Sequence, residues 1–368
     1  MKEPQAVLLL THSLDLGGTE RQMTEIAKGL DRQEFSPHVA TFHPSGIRAD
    51  ELRAQGVPVL HLPVTSFASF SALQGGFQLI RYIRQHRIQL VHSFDVPMNI
   101  FAVPFARLAH GPVVLSSQRA HRNLTPGAYT QLLRITDQMV DGIVVNCLHM
   151  RDHLTVEERV PASLVYLCYN GIDLQVFNRG RMPAISRTAA VVIGVVCALR
   201  PEKGLMTLIE AFAKLARTHL NVQLLIVGSG PMLEPLERQA DALGVRGSCN
   251  FQPGTADVAP WMRAIDIFVL PSLSEALSNS LMEALACGCC CVASNVGGNP
   301  ELLGKDESRG LLFEKGDSAA LARALELLVQ DPAKRSSLAD AGSRFIHDGF
   351  GKMQSVQRMS EIYRLFLN

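Results

Sequence analysis

Two doubly wound α/β domains facing a cleft are what this sequence predicts, on three observations. Strand-length apolar runs alternate with helix-period segments from one end of the chain to the other. Those runs are almost continuously apolar, as strands covered on both faces of a parallel sheet are. A break rich in Arg, Gly, Pro and Ser at Asn178–Thr188 separates a first series from a second. The 368 residues suit two domains of ordinary size.

The first series opens with a strand at Val7–Leu10, a loop carrying Gly17 and Gly18, and a helix with Met23, Ile26, Ala27 and Leu30 on one face. Further strands are expected at Val39–Phe42, Val57–Leu60, Ile88–His92, Val113–Ser116, Ile143–Asn146 and Leu164–Tyr166. The second series runs Val191–Val196, Val222–Val227, Ile267–Leu270, Cys290–Ala293 and Leu311–Phe313. Ligands of such sheets sit beyond the carboxyl ends of the strands, so chemistry is expected in the loops that follow them.

Composition removes several function classes. With 47% hydrophobic and 19% charged residues a full core can form, and a net charge of +1 gives no sign of nucleic-acid binding. No apolar run reaches the roughly 20 residues of a membrane span, and the N-terminus lacks the features of a signal peptide. A cytoplasmic protein is expected. Cys287, Cys289, Cys290 and Cys291 read as small buried hydrophobes, because consecutive residues of a strand point to opposite faces and cannot converge on a metal. Arg81, Arg84 and Arg87 recur at helical spacing, either as a solvated face or as a weak peripheral contact with the inner face of a membrane.

Four loops carry candidate chemistry. Pro271–Glu301 follows a strand; Glu275 lies in its loop, and Ser278, Asn279 and Ser280 lead into an apolar helix through Leu281. A helix N-terminus offers free N–H groups and partial positive charge, which suits a diphosphate. Glu275 would accept hydrogen bonds from sugar hydroxyls. Glu283 either holds a ribose or closes a capping box with Ser280. Leu199–Gly204 places Arg200 and Lys203 just after a strand, as a phosphate clamp or as a solvated turn. Gly17 and Gly18 let the backbone approach a ligand closely, and Gly228-Ser-Gly230-Pro231 forms a tight turn. The spacing of a dinucleotide fingerprint or a P-loop is absent.

In order, these loops resemble the retaining glycosyltransferases of family 4, the group 1 glycosyltransferases of GT-B fold. The matching residues are GGTE at Gly17–Glu20, NGID at Asn170–Asp173, LRPEKG at Leu199–Gly204, GSGP at Gly228–Pro231, Glu275 with Glu283, and VGGNPE at Val296–Glu301. The resemblance implies an acceptor-side domain over 1–180, a nucleotide-sugar domain over 181–345, and a terminal segment, 346–368, that crosses back to the first domain. It implies that Lys203 and a nearby Arg bind the diphosphate, that Glu275 meets the donor sugar and that Glu283 holds the ribose. Gly17, Gly18, Gly228, Gly230, Ser278, Asn279, Ser280 and Leu281 complete the donor set. Three positions depart from the family pattern: Ala198 stands where its phosphate Arg is often found, with Arg200 as substitute; Gln118 replaces a His; and Ala276 replaces a Gly. His92, Gln118 and Arg119 are the acceptor-side candidates. The expected reaction is sugar transfer from a nucleoside diphosphate to an unidentified acceptor, a glycan, a sugar- or lipid-linked molecule or a small molecule, in cell-surface glycan or glycoconjugate synthesis, without metal or other cofactor. A sugar-nucleotide epimerase of the same fold and an inactive sugar-nucleotide-binding protein are the alternatives.

Overall fold

A computed structural model describes residues 3–180 and 189–367. The chain divides into two compact units, Met1–Gly171 with Lys352–Asn368, and Ile172–Gly351.

The first unit contains seven strands: β1 (Gln5–Leu10), β2 (Phe35–Thr41), β3 (Val59–His61), β4 (Leu90–Ser93), β5 (Val113–Gln118), β6 (Gly142–Val145) and β7 (Val165–Leu167). All pair in parallel, in the order β3-β2-β1-β4-β5-β6-β7. Between them run α1 (Gly18–Gly29), α2 (Ile47–Ala54), α3 (Phe70–Gln85), α4 (Val96–Leu108), α5 (Gly127–Asp137) and α6 (Leu148–Asp152). On α1, Met23, Ile26 and Ala27 are buried, as their spacing requires, and they join Val7, Leu9 and Val39 in the core.

The second unit repeats this plan with β8 (Val191–Val196), β9 (Val222–Val227), β10 (Cys249–Gln252), β11 (Ile267–Leu270), β12 (Cys290–Ser294) and β13 (Leu311–Phe313), parallel in the order β10-β9-β8-β11-β12-β13. Its helices are α7 (Leu205–Ala216), α8 (Leu233–Ala242), α9 (Ala259–Met262), α10 (Asn279–Ala286), α11 (Asn299–Leu303), α12 (Ser318–Gln330) and α13 (Pro332–Gly349). Leu208, Ile209, Phe212 and Leu215 form a buried stripe on α7; each contributes about 1.5–3 kcal/mol through burial. In both sheets the strand order reverses direction at one point, between β1 and β4 in the first and between β8 and β11 in the second. That is where a doubly wound sheet opens a crevice for ligands.

The structure corrects the sequence reading in three places. The edge strand β10 escapes it because Cys-Asn-Phe-Gln neither alternates nor runs apolar. Residues 172–180 belong with the second unit: the Ile172 N–H bonds to the Phe350 carbonyl at 2.9 Å, and Arg263 bonds to the carbonyls of Val176 and Asn178. Of the expected linker, residues 181–188 lie outside the described residues. The terminal segment of the first unit starts at Lys352, because α13 continues to Gly349 with Ile346 buried. It forms α14 (Lys352–Leu367), which packs against α1 and buries Met359, Ile362 and Tyr363 in the core. No helix among the described residues is long and apolar enough to cross a membrane.

Candidate active site

In the second unit, Lys203 and Glu275 meet across the switch point. Lys203 ends a short turn, Pro201–Lys203, after β8; Glu275 lies in the loop after β11. The Lys203 Nζ donates to Glu275 Oε1 at 2.6 Å, and the same oxygen accepts from Ser272 Oγ at 2.7 Å. Both side chains are largely buried. Burial opposes the charge on Lys203, but the Glu275 carboxylate outweighs it and holds the ammonium above its ordinary pKa. The two loops are also tied through the backbone, where the Leu273 N–H donates to the Glu202 carbonyl at 2.8 Å. Gly204 makes this approach feasible: its φ is +62°, and a Cβ there would collide with the Pro271 carbonyl.

Arg200 stands in the same loop with its side chain mostly in solvent, 4.0 Å from Glu202. The turn of Gly228 and Gly230 follows β9 and lies against the loop after β8; a Cβ on Gly228 would collide with the Cys197 carbonyl. Ser278 is the N-cap of α10, and its Oγ accepts from the Leu281 N–H at 3.3 Å. This fixes the register of the cap. Asn279 and Ser280 form the start of the helix, and Glu283 lies in its second turn, so the N-cap is Ser278 and not the Ser280 of the expected capping box. The Glu283 side chain is buried.

The first unit has its own cluster at the switch point between β1 and β4. Asp95 caps α4 through Oδ1, which accepts from the Met98 N–H at 2.9 Å. Its Oδ2 accepts from Thr11 Oγ1 at 2.9 Å and the His12 N–H at 2.7 Å, and lies 3.1 Å from His12 Nδ1. The hydrogen bond to Asp95 raises the His12 pKa. Burial raises that of Glu20, whose carboxylate lies 3.9 Å from His12 Nδ1 and folds over Gly17, the N-cap of α1 leading into Gly18. Sequence reasoning missed His12 and Asp95. Each is a polar residue at the carboxyl end of a strand, but nothing in the sequence says that β1 and β4 are neighbours.

The acceptor-side candidates lie elsewhere. His92 is fully buried in β4; its Nδ1 is 2.8 Å from the Tyr363 hydroxyl and its Nε2 2.9 Å from Ser117 Oγ, and burial pushes its pKa down to about 3. Both ring nitrogens are therefore committed to the core, and the sequence assignment of His92 to an acceptor is corrected. Gln118 is buried and donates to the Ala120 carbonyl at 2.8 Å. Arg119 donates to Asn170 Oδ1 and lies over the Phe94 ring at 5.7 Å; burial lowers its pKa to about 10. Cys287, Cys289, Cys290 and Cys291 are buried free thiols, all with raised pKa values because burial disfavours the thiolate.

Two parallel sheets of matching topology, each with an acid–base pair across its switch point, define a two-domain Rossmann-like protein. Residues 16–176 match the family described as Glycosyltransferase Family 4, and residues 184–345 that described as Glycosyl transferases group 1. The chain is 34% identical over 151 residues to the lipopolysaccharide core biosynthesis glycosyltransferase LpsE of Rhizobium meliloti (strain 1021); the match covers 41% of this chain and 43% of that protein, less than half its length. It is 29% identical over 316 residues to the GDP-mannose-dependent alpha-(1-6)-phosphatidylinositol monomannoside mannosyltransferase of Mycobacterium tuberculosis, covering 81% of this chain and 80% of the relative. Its fold matches that of Anabaena HepE, solved in complex with UDP-glucose, at a TM-score of 0.86 and 20% identity, over 98% of this chain and 99% of that one. The chain belongs to the group 1 glycosyltransferases of GT-B fold.

Proposed function

We propose that this protein transfers a sugar from a nucleoside-diphosphate sugar, with retention at the anomeric carbon, to a sugar or lipid-linked acceptor in the synthesis of cell-surface glycans. The observation that carries the reading is the Lys203–Glu275 pair between the loops after β8 and β11. An ammonium has three N–H groups, and Glu275 takes one; the others suit the oxygens of a diphosphate. The start of α10 adds N–H groups from its first turn, and the exposed fork of Arg200 completes the cation set. Glu275 accepts from hydroxyls of the donor sugar, and Glu283 from the ribose.

In this mechanism the acceptor oxygen attacks the face from which the diphosphate leaves, and the acceptor proton passes to the departing phosphate. The transition state is close to an oxocarbenium ion beside a diphosphate, so its energy depends chiefly on stabilising the leaving group. One preorganised donor contributes about 3–4 kcal/mol. A general base contributes about 10²–10⁴-fold, or about 2.7–5.5 kcal/mol, so the phosphate clamp is the larger effect once two or more of its donors act together. Its cations neutralise the diphosphate without a metal ion. GDP-mannose is the donor named for the mycobacterial relative, and UDP-glucose is the ligand in the Anabaena structure; both belong in the assay. A panel of nucleotide sugars, incubated without acceptor, should give slow release of nucleoside diphosphate from one of them. Donor converted to an epimer, or bound without turnover, would replace this reading.

A lipid-linked acceptor brings the enzyme to a membrane surface, with Arg81, Arg84 and Arg87 as its basic contact.

A further inference from the structure

We infer that the outward faces of α3 and α5 together form a docking surface for an anionic lipid bilayer, with apolar side chains that enter the interface beside the arginines. The inference deepens the membrane contact proposed above and rests on the lipid-linked acceptor only for its purpose.

On α3, Phe70, Leu73 and Phe77 recur at positions i, i+3 and i+7, and are 78%, 51% and 67% exposed. Residues at that spacing share one face of a helix. Soluble proteins leave single large apolar residues in water, but a row of three on one face marks a binding surface. Arg81 and Arg84 continue the same face, and exposed Arg87 follows the end of the helix. The stripe is therefore aromatic over its first half and basic over its second, with Phe70 and Arg81 about 16 Å apart along the axis.

The patch does not end with α3. Helix α4 packs between α3 and α5. On α5, Tyr129, Leu132 and Ile135 are exposed at successive steps of three. The Phe67 ring lies 6.4 Å from that of Tyr129 and stacks on Phe101 of α4 at 6.2 Å, so an aromatic seam links the two stripes.

Charge selects the occupant. Helix α3 contains no Asp or Glu, and neither Arg81 nor Arg87 has a carboxylate partner among the described residues. The single acidic residue of α5, Asp137, is buried and paired with Arg122. A face with exposed aromatics, unpaired arginines and no exposed acid matches the headgroup boundary of an anionic leaflet, where apolar groups enter and cations remain among the phosphates.

The test uses the full chain and vesicles of phosphatidylcholine alone or mixed with phosphatidylglycerol, read by co-sedimentation. Wild type should sediment with the mixed vesicles and much more weakly with the neutral ones. Arg81→Glu/Arg87→Glu should weaken that binding about 30-fold or more, and Phe70→Ser/Phe77→Ser about 100-fold. Circular dichroism and acceptor-free donor hydrolysis should be unchanged in both variants, because neither pair belongs to the donor site. Equal binding to neutral vesicles, no binding to either, or full binding by both variants would overturn the inference. So would a wild-type dimer that Phe70→Ser/Phe77→Ser turns into monomers, since a second copy would then cover the face. Donor hydrolysis without vesicle binding would leave the transferase reading standing and remove this one; vesicle binding without hydrolysis would do the reverse.

Discussion

The Nζ of Lys203 donates to Oε1 of Glu275 at 2.6 Å, joining the loops that follow β8 and β11. The corresponding place in the first unit is occupied by His12 and Asp95, 3.1 Å apart after β1 and β4. Both pairs arise from topology. A reversal of strand order leaves two adjacent carboxyl ends whose loops diverge, and each unit bridges that gap with a cationic or ionisable base and a carboxylate.

Removal of both partners should cost less than the two single removals added together. Lys203→Ala leaves a largely buried carboxylate with Ser272 as its one close side-chain partner among the described residues, and should destabilise the protein by about 1–3 kcal/mol. Lys203→Met/Glu275→Gln leaves no uncompensated charge and should be less destabilised than the sum of its single variants. Urea unfolding of all the variants measures the difference; additive losses would show that the pair has no coupling.

Acid should destabilise the first unit through His92. Burial holds the folded imidazole near pH 3, against 6.5 for an exposed one, so the unfolded chain binds the extra proton in between. Stability from this group is complete above about pH 6.5 and falls progressively toward pH 3. His92→Gln should lower stability at neutral pH and flatten that decline. A decline as steep in the variant would assign it to other groups.

His12 acts in the opposite sense. Its pKa is raised by Asp95, so its contribution is complete below the unfolded value of about 6.5 and is lost as pH rises through the higher folded value. His12→Asn should remove that alkaline loss. An NMR titration of the His12 ring giving a midpoint at or below 6.5 would contradict the assignment.

The thiols should be silent. Seven of the eight cysteines are buried, and Cys197, the exception, has its pKa pushed up to about 12 by burial. Alkylation of the folded protein at mild alkaline pH should label almost none of them, and unfolding in urea should expose all. Rapid labelling of the folded chain at Cys289, Cys290 or Cys291 would contradict the burial of β12.

Most of the architecture was legible because buried parallel strands leave an apolar run that few other elements produce. Val191–Val196 and Val222–Val227 were found in full for that reason. Strand β10 was not, since an edge strand needs fewer apolar residues. On the donor side, the loops that carry Lys203 and Glu275 could be picked out because they follow obvious strands, whereas their 2.6 Å contact could not. The burial of His92 depends on packing distant in sequence: Tyr363, the partner of His92, comes from the last helix. His12 and Asp95 stayed hidden for the same reason, since only the strand order brings them together.

Acceptor-free release of nucleoside diphosphate by wild type and Lys203→Ala, with folding checked by circular dichroism, tests the leaving-group clamp most directly. The account predicts a folded Lys203→Ala protein whose turnover is lower by at least about 100-fold, the loss of one preorganised donor. Wild-type turnover in that variant would show that Lys203 does not stabilise the departing diphosphate.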